Sequence, residues 1–151
     1  MSRPNYKETN PAALHALLAL EGHVRKSGLE RGLLDLVYLR VSQLNGCAFC
    51  IDMHDKDLRA GGEKPERLSL VCAWPEAPSF TPRERAALAY AEAVTALGPD
   101  PVSDGVYETA RAEFGDAALV DLTLAVATIN AWNRLNIAFR APAGVYQPRS
   151  L

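Results

Sequence analysis

Residues 29–62 read LERGLLDLVYLRVSQLNGCAFCIDMHDKDLRAGG, two apolar-periodic runs hinged on Asn45-Gly46. In the first run Leu33, Leu34, Val37, Val41 and Leu44 recur at steps of three and four, which is the period of one helix face. Val37, Tyr38 and Val41 each suit a strand, but alternation is absent and the run is too long for one. Asn and Gly both tolerate the left-handed backbone of a helix cap, so the first helix is expected to stop at Asn45-Gly46. A second helix is expected from about Cys47 to Gly61-Gly62. The pair would form a helical hairpin.

The same punctuation extends over the rest of the chain. Asn10-Pro11 supplies an N-cap and a first-turn proline for a helix that runs to just before Gly28. A short helix is expected from about Pro65 to Ala73, stopped by Trp74-Pro75. Thr81-Pro82-Arg83-Glu84 has capping-box spacing and opens an alanine-rich helix to Leu97. Ser103 would cap a helix to Phe114, and Gly115-Asp116 would separate it from the longest one, about 117–139. That helix is apolar nearly all round and wants partners on several sides, which a second copy of the chain can supply. The tail APAGVYQPRSL reads as irregular. The expected fold class is all-α, with residues 1–151 forming a single domain.

Composition sets the class of partner. Hydrophobic residues make up 48% and charged residues 23% of the 151, with a formal net charge of −2. Positive and negative residues are interspersed, so no electrostatic footprint for nucleic acid or an anionic membrane is present. No apolar run reaches the roughly 18 residues of a spanning helix, and the first residues carry no signal-type apolar core, so a cytoplasmic location is expected. In a reducing compartment a close cysteine pair is more often catalytic or metal-binding than structural.

Cys47, Cys50 and His54 lie at i, i+3 and i+7, along one face of the second helix. Such spacing sets the two cysteine β-carbons about 5–6 Å apart, and a small adjustment at the first turn would close a disulfide. The helix N-terminus favours thiolate, and His54 could take or hold a proton one turn after Cys50. Cys47, nearer the helix end, is expected to be the more exposed thiol; proximity to His54 favours Cys50 as nucleophile, whereas the dipole favours Cys47. Asp35, interior to the first helix among Leu33, Leu34, Leu36 and Val37, would approach the His54 face if the hairpin packs. Three other readings compete: a zinc site, for which no closing Cys/His cluster is present; c-type haem attachment, which needs histidine where Ile51 stands; and plain core packing. Cys72 reads as core, His15 and His23 as surface or packing residues, and Trp132, Asn133 and Arg134 as interface residues.

The stretch LRVSQLNGCAFCIDMHDKDLRAGGE resembles the core motif of the alkylhydroperoxidase D (AhpD) family, within the carboxymuconolactone decarboxylase-like superfamily. TPRERAALAYAEAVTAL and TINAWNRLNIAFR look like the later helices of small AhpD-like proteins, so the resemblance spans about 29–140. It implies an all-α fold with a CxxC at the N-terminus of a helix, and trimeric or hexameric assembly. It also implies a peroxidase cycle needing no metal, haem or other cofactor. In that cycle Cys50 would attack a hydroperoxide, Cys47 would resolve the sulfenic acid to a disulfide, and an external dithiol or redox protein would reduce it. His54 matches the family's histidine. The acidic relay position, usually glutamate, falls on Asp35, and a second histidine of well-studied members is Phe49 here. The alternatives are a carboxymuconolactone decarboxylase-like enzyme and a non-enzymatic redox-sensing helical oligomer.

Overall fold

A computed structural model describes residues 3–148. The described residues form helices α1 (Tyr6–Thr9), α2 (Pro11–Arg25), α3 (Arg31–Asn45), α4 (Ala48–Ala60), α5 (Pro65–Ser69), α6 (Pro82–Ala96) and α7 (Asp104–Ala138), with a 3₁₀ turn at Val71–Ala73. The all-α expectation holds. The differences are local. The helix expected over 65–73 is α5 plus the 3₁₀ turn, and the two helices expected around Gly115 run on as α7 across one non-helical residue. Gly115 has φ 73° and ψ 169°, a conformation open to glycine and costly for other residues, so the axis breaks there without a loop. The helix α1 has no apolar period and went unread.

Sequence chemistry explains most ends. Asn10 accepts from the Ala13 amide at 3.2 Å and Pro11 fills the first position of α2. Thr81 and Glu84 close a reciprocal capping box at α6, with bonds of 3.2 and 2.8 Å. Between α3 and α4 the chain makes a Schellman turn: the Gly46 amide bonds to the Gln43 carbonyl at 3.2 Å and the Cys47 amide to the Ser42 carbonyl at 3.0 Å. Gly46 sits at φ 69°, ψ 30°. This turn fixes where Cys47 leaves α3, and so fixes the start of α4.

The helix α3 is the centre of the molecule, because every residue from Leu33 to Leu39 is buried. On one side Leu33, Leu34, Val37, Tyr38 and Val41 pack with Ala87 and Ala91 of α6 and with Leu122, Val126 and Ile129 of α7. On the other side Leu36 and Leu39 meet Leu58 of α4, Leu68, Val71, Trp74, Phe80 and Leu88. A helix covered on both faces must also cover whatever polar residue lies in its run, which here is Asp35. The helix α7 is not covered all round: Val120 is 60% and Ile137 45% exposed. No helix among the described residues is long and apolar enough to cross a membrane.

A β-carbon at Gly46 would meet nothing within 4 Å, so substitution there tests backbone conformation alone. Gly46→Ala should cost about 1–2 kcal/mol, the penalty of left-handed backbone in an L-residue. Urea denaturation read by far-UV circular dichroism checks this. An unchanged midpoint would show that the turn does not hold Gly46 left-handed.

Candidate active site

The site begins where the Schellman turn delivers Cys47 to the N-cap of α4, with φ −83° and ψ 94°. One helical turn on, Cys50 follows, its sulfur close enough to that of Cys47 for the two to titrate together. The expectation that Cys47 would be the exposed thiol is corrected: Cys47 is 1% and Cys50 0% exposed, because α7 lies across the start of α4. Neither cysteine is in a disulfide. The amides of Cys50 and Phe49 favour the Cys47 anion, although neither closes a capping hydrogen bond.

The wall that α7 presents to the sulfurs is amide rather than hydrocarbon. Asn136 Nδ2 donates to Cys50 Sγ at 3.3 Å, and its Oδ1 accepts from the Tyr6 hydroxyl at 2.9 Å. Asn133 faces both sulfurs and is held by Ser42 Oγ at 3.0 Å and Asn45 Nδ2 at 2.9 Å. Asn133 is therefore corrected from interface residue to buried site residue, since it is fully covered within one chain. Trp132 bonds Glu21 and Arg134 bonds Asn130, both in this chain. Asn133 and Asn136 are legible in the sequence only as polar residues i,i+3 on an otherwise apolar helix. Tyr6, on the unread α1, lies near both sulfurs. Its phenol is pushed up by burial and by the cysteine charges.

These contacts split the two thiols. The S–H of Cys50 aimed at Cys47, against the penalty of burial and with help from the two amides and Asn133, lowers Cys47 to about 7. Cys50 is pushed far above the thiol range, first because its proton is committed to Cys47 and then by burial. Of the pair, Cys47 is the thiol that ionises more readily and Cys50 the one that keeps its proton.

His54, the next turn of α4, is 2% exposed and its ring lies against that of Tyr38, centroids 5.2 Å apart. Its Nδ1 stands 3.6 Å from Asp35 Oδ1, so the hairpin does bring α3's buried carboxylate to the histidine. That distance is just beyond a hydrogen bond, and neither ring nitrogen of His54 has a hydrogen-bond partner. The other oxygen of Asp35 faces Arg31 Nε at 3.8 Å. Thus Asp35 and His54 are brought together, as are Cys47 and Cys50, without a hydrogen bond from His54 to either sulfur. Cys72, read as core, is corrected: it is exposed, because the 3₁₀ turn at Val71–Ala73 buries Val71 and leaves its neighbour outside. His15 and His23 are exposed, the latter 3.1 Å from Asp121.

The family model of the carboxymuconolactone decarboxylase family matches residues 11–93. Over 136 residues the chain is 38% identical to the uncharacterized protein YdfG of Bacillus subtilis, spanning 90% of this chain and 92% of that one. The crystal structure of ATU0492 from Agrobacterium tumefaciens, a protein of unknown function suggested to be an antioxidant-defence AhpD, matches with a TM-score of 0.91. It is 41% identical, with 97% of this chain and all of that one covered. A shorter match, 33% over 67 residues, is to the alkyl hydroperoxide reductase AhpD of Bradyrhizobium diazoefficiens, covering 44% of this chain and 34% of that protein.

The split thiols give a signature in pH. Ultraviolet thiolate absorbance of the reduced protein should titrate with a midpoint at about 7 for Cys47. Cys50→Ala removes the S–H donor and should move that midpoint up toward the ordinary value of about 8.5. Stability follows the same proton. The Cys47 anion contributes fully above the unfolded pKa and the contribution is lost as pH falls through about 7. Cys50, raised in the fold, works against stability above about 8.5, where only the unfolded thiol ionises. Denaturant midpoints should therefore rise from neutral pH to about 8.5 and then fall. A flat profile in this window would contradict the hydrogen-bonded pair.

Proposed function

The chain belongs to the carboxymuconolactone decarboxylase family, and we propose that it is a thiol-dependent peroxidase and disulfide oxidoreductase of the AhpD type. One observation carries this reading. Two fully buried sulfurs share a helix N-terminus, and the Asn136 amide donates to the Cys50 sulfur at 3.3 Å. Packing alone would not surround two small hydrophobes with the amides of Asn133 and Asn136.

In the proposed cycle Cys50 loses its proton to His54, a contact absent from the reduced site that peroxide binding must close, and its thiolate attacks the terminal oxygen of a hydroperoxide. The O–O bond breaks, Cys50 becomes a sulfenic acid and the alkoxide leaves with a proton from His54. The Cys47 thiolate then attacks the Cys50 sulfur, forming the Cys47–Cys50 disulfide, and the departing hydroxide regains from solvent the proton that Cys47 released on ionising; the sum is one hydroperoxide and two thiols to one alcohol, one water and one disulfide. An external dithiol or redox protein returns the pair to its reduced form. Asp35 faces His54 Nδ1 across the 3.6 Å gap and orients the ring. The same reading includes a homo-oligomer, supported by Leu18, Val120 and Ile137 standing 46%, 60% and 45% exposed.

One equivalent of an organic hydroperoxide should remove two of the three thiols of the reduced protein. Peptide mapping by mass spectrometry should find Cys47 crosslinked to Cys50 and Cys72 free. In Cys47→Ser a sulfenic acid should accumulate at Cys50; accumulation at Cys47 in Cys50→Ser instead would reverse the two roles. His54→Gln should slow the thiol loss about 100-fold or more. Three thiols indifferent to peroxide would sink the reading.

A further inference from the structure

We propose that Asp35, His54 and Asp57 form a binding site for a divalent transition-metal ion of the Zn²⁺ class, separate from the cysteine pair. His54 and Asp57 are i,i+3 on α4 and Asp35 faces them from α3. One potential ligand atom from each of the three lies within 4.8 Å of the others. A tetrahedral ion with bonds of about 2.1 Å holds its donor atoms about 3.4 Å apart. The His54 Nδ1 to Asp35 Oδ1 distance of 3.6 Å is already near that value, though it is too long for a hydrogen bond. Asp57 must close by about 1.4 Å at most, within the reach of a half-buried side chain that the Tyr146 hydroxyl holds at 2.7 Å.

The independent observation is His54. It is 98% buried, and a buried imidazole with both nitrogens unpartnered is costly. Coordination of Nδ1 would satisfy one of them and would place a positive charge between the two carboxylates, beside the Arg31 and Arg25 charges that Asp35 already feels. Arg31 faces the second oxygen of Asp35 at 3.8 Å, and its side chain is 64% exposed, so it yields to solvent at small cost. A cleft of about 340 Å³ bordered by Arg31, Asp35, Asp57, Gly62 and Glu63 gives the ion a route in and room for water as a fourth ligand. One imidazole with two carboxylates suits Zn²⁺, Co²⁺ or Ni²⁺ rather than Mg²⁺ or Ca²⁺, which prefer all-oxygen shells. If the peroxidase reading is correct, the ion also takes His54 and Asp35 out of the proton path and inhibits turnover; only this consequence rests on that reading.

Zn²⁺ binding to the chelator-stripped full chain, followed by isothermal titration calorimetry, tests the site directly. The Cys47→Ser/Cys50→Ser chain serves as the background that removes thiolate ligation. One Zn²⁺ should bind per chain in this background, and adding Asp57→Asn should weaken it at least about 10-fold. Co²⁺ in the same background should show intense tetrahedral visible bands and no sulfur-to-metal charge-transfer band. Absence of binding there, or binding indifferent to Asp57→Asn, would overturn the site whatever the outcome with peroxide. Binding to the serine background with unchanged peroxide turnover in the Zn²⁺-loaded wild type would keep the site and remove His54 from the peroxidase path.

Discussion

The burial of α3 on both faces is the constraint on which the rest of the molecule depends. Seven consecutive residues, Leu33 to Leu39, are inside, so no orientation of the helix places Asp35 in water. An uncompensated charge at such depth costs several kcal/mol, and the fold accepts the residue only beside groups that can answer it. Those groups are His54 from α4 and, at the rim, Arg31 one turn earlier on the same helix. The packing that makes the core thus also decides which polar side chains meet. The Schellman turn at Gly46 sets the register of that meeting, because it determines where α4 starts relative to α3.

The same depth alters the cysteine pair. Two thiols at the surface of a helix end would titrate nearly independently, each drawn slightly down by the dipole. Buried together they share one proton, so the first ionisation is easy and the second hard. Low dielectric strengthens the S–H to sulfur contact, and the amides of α7 replace water without competing as bases. Asn133 and Asn136 are donors toward sulfur while remaining neutral at every pH, which stabilises an anion and leaves the proton inventory to the cysteines, His54 and Asp35.

Much of this was legible in residues 29–62. The hairpin, its turn and the meeting of Asp35 with His54 follow from a period of three to four residues and two left-handed-tolerant residues at 45–46. What was not legible depends on long-range packing. The covering of Cys47 by α7 and the depth of Asn133 arise from pairings across more than 80 positions, which no local period encodes. Exposure of Cys72 turns on a single 3₁₀ turn, where a shift of one residue exchanges inside and outside. Asp57, one helical step from His54, carries no local signal of a site, because i,i+3 acidic neighbours are common on solvated helix faces. The helix α1, four residues long, has no periodicity to find, yet it brings Tyr6 to the sulfurs.

The two departures from the AhpD pattern act on opposite sides of His54. At 49 a phenylalanine stands where well-studied members have histidine, so no second imidazole shares the sulfurs' protons. At 35 an aspartate stands where glutamate is usual, and the missing methylene appears in the geometry as a separation of 3.6 Å. A glutamate from the same backbone position would reach further along α4 and could close that gap as a hydrogen bond. The shorter carboxylate leaves Nδ1 unclaimed, and one turn along α4 Asp57 faces the same gap. A proton relay needs its members in contact or joined by water, whereas a metal ion needs them held apart by the diameter of its shell. Aspartate at 35 moves this cluster from the first geometry toward the second, and that is the physical reason the Asp35–His54 pair enters both the proposed peroxidase cycle and the proposed cation site.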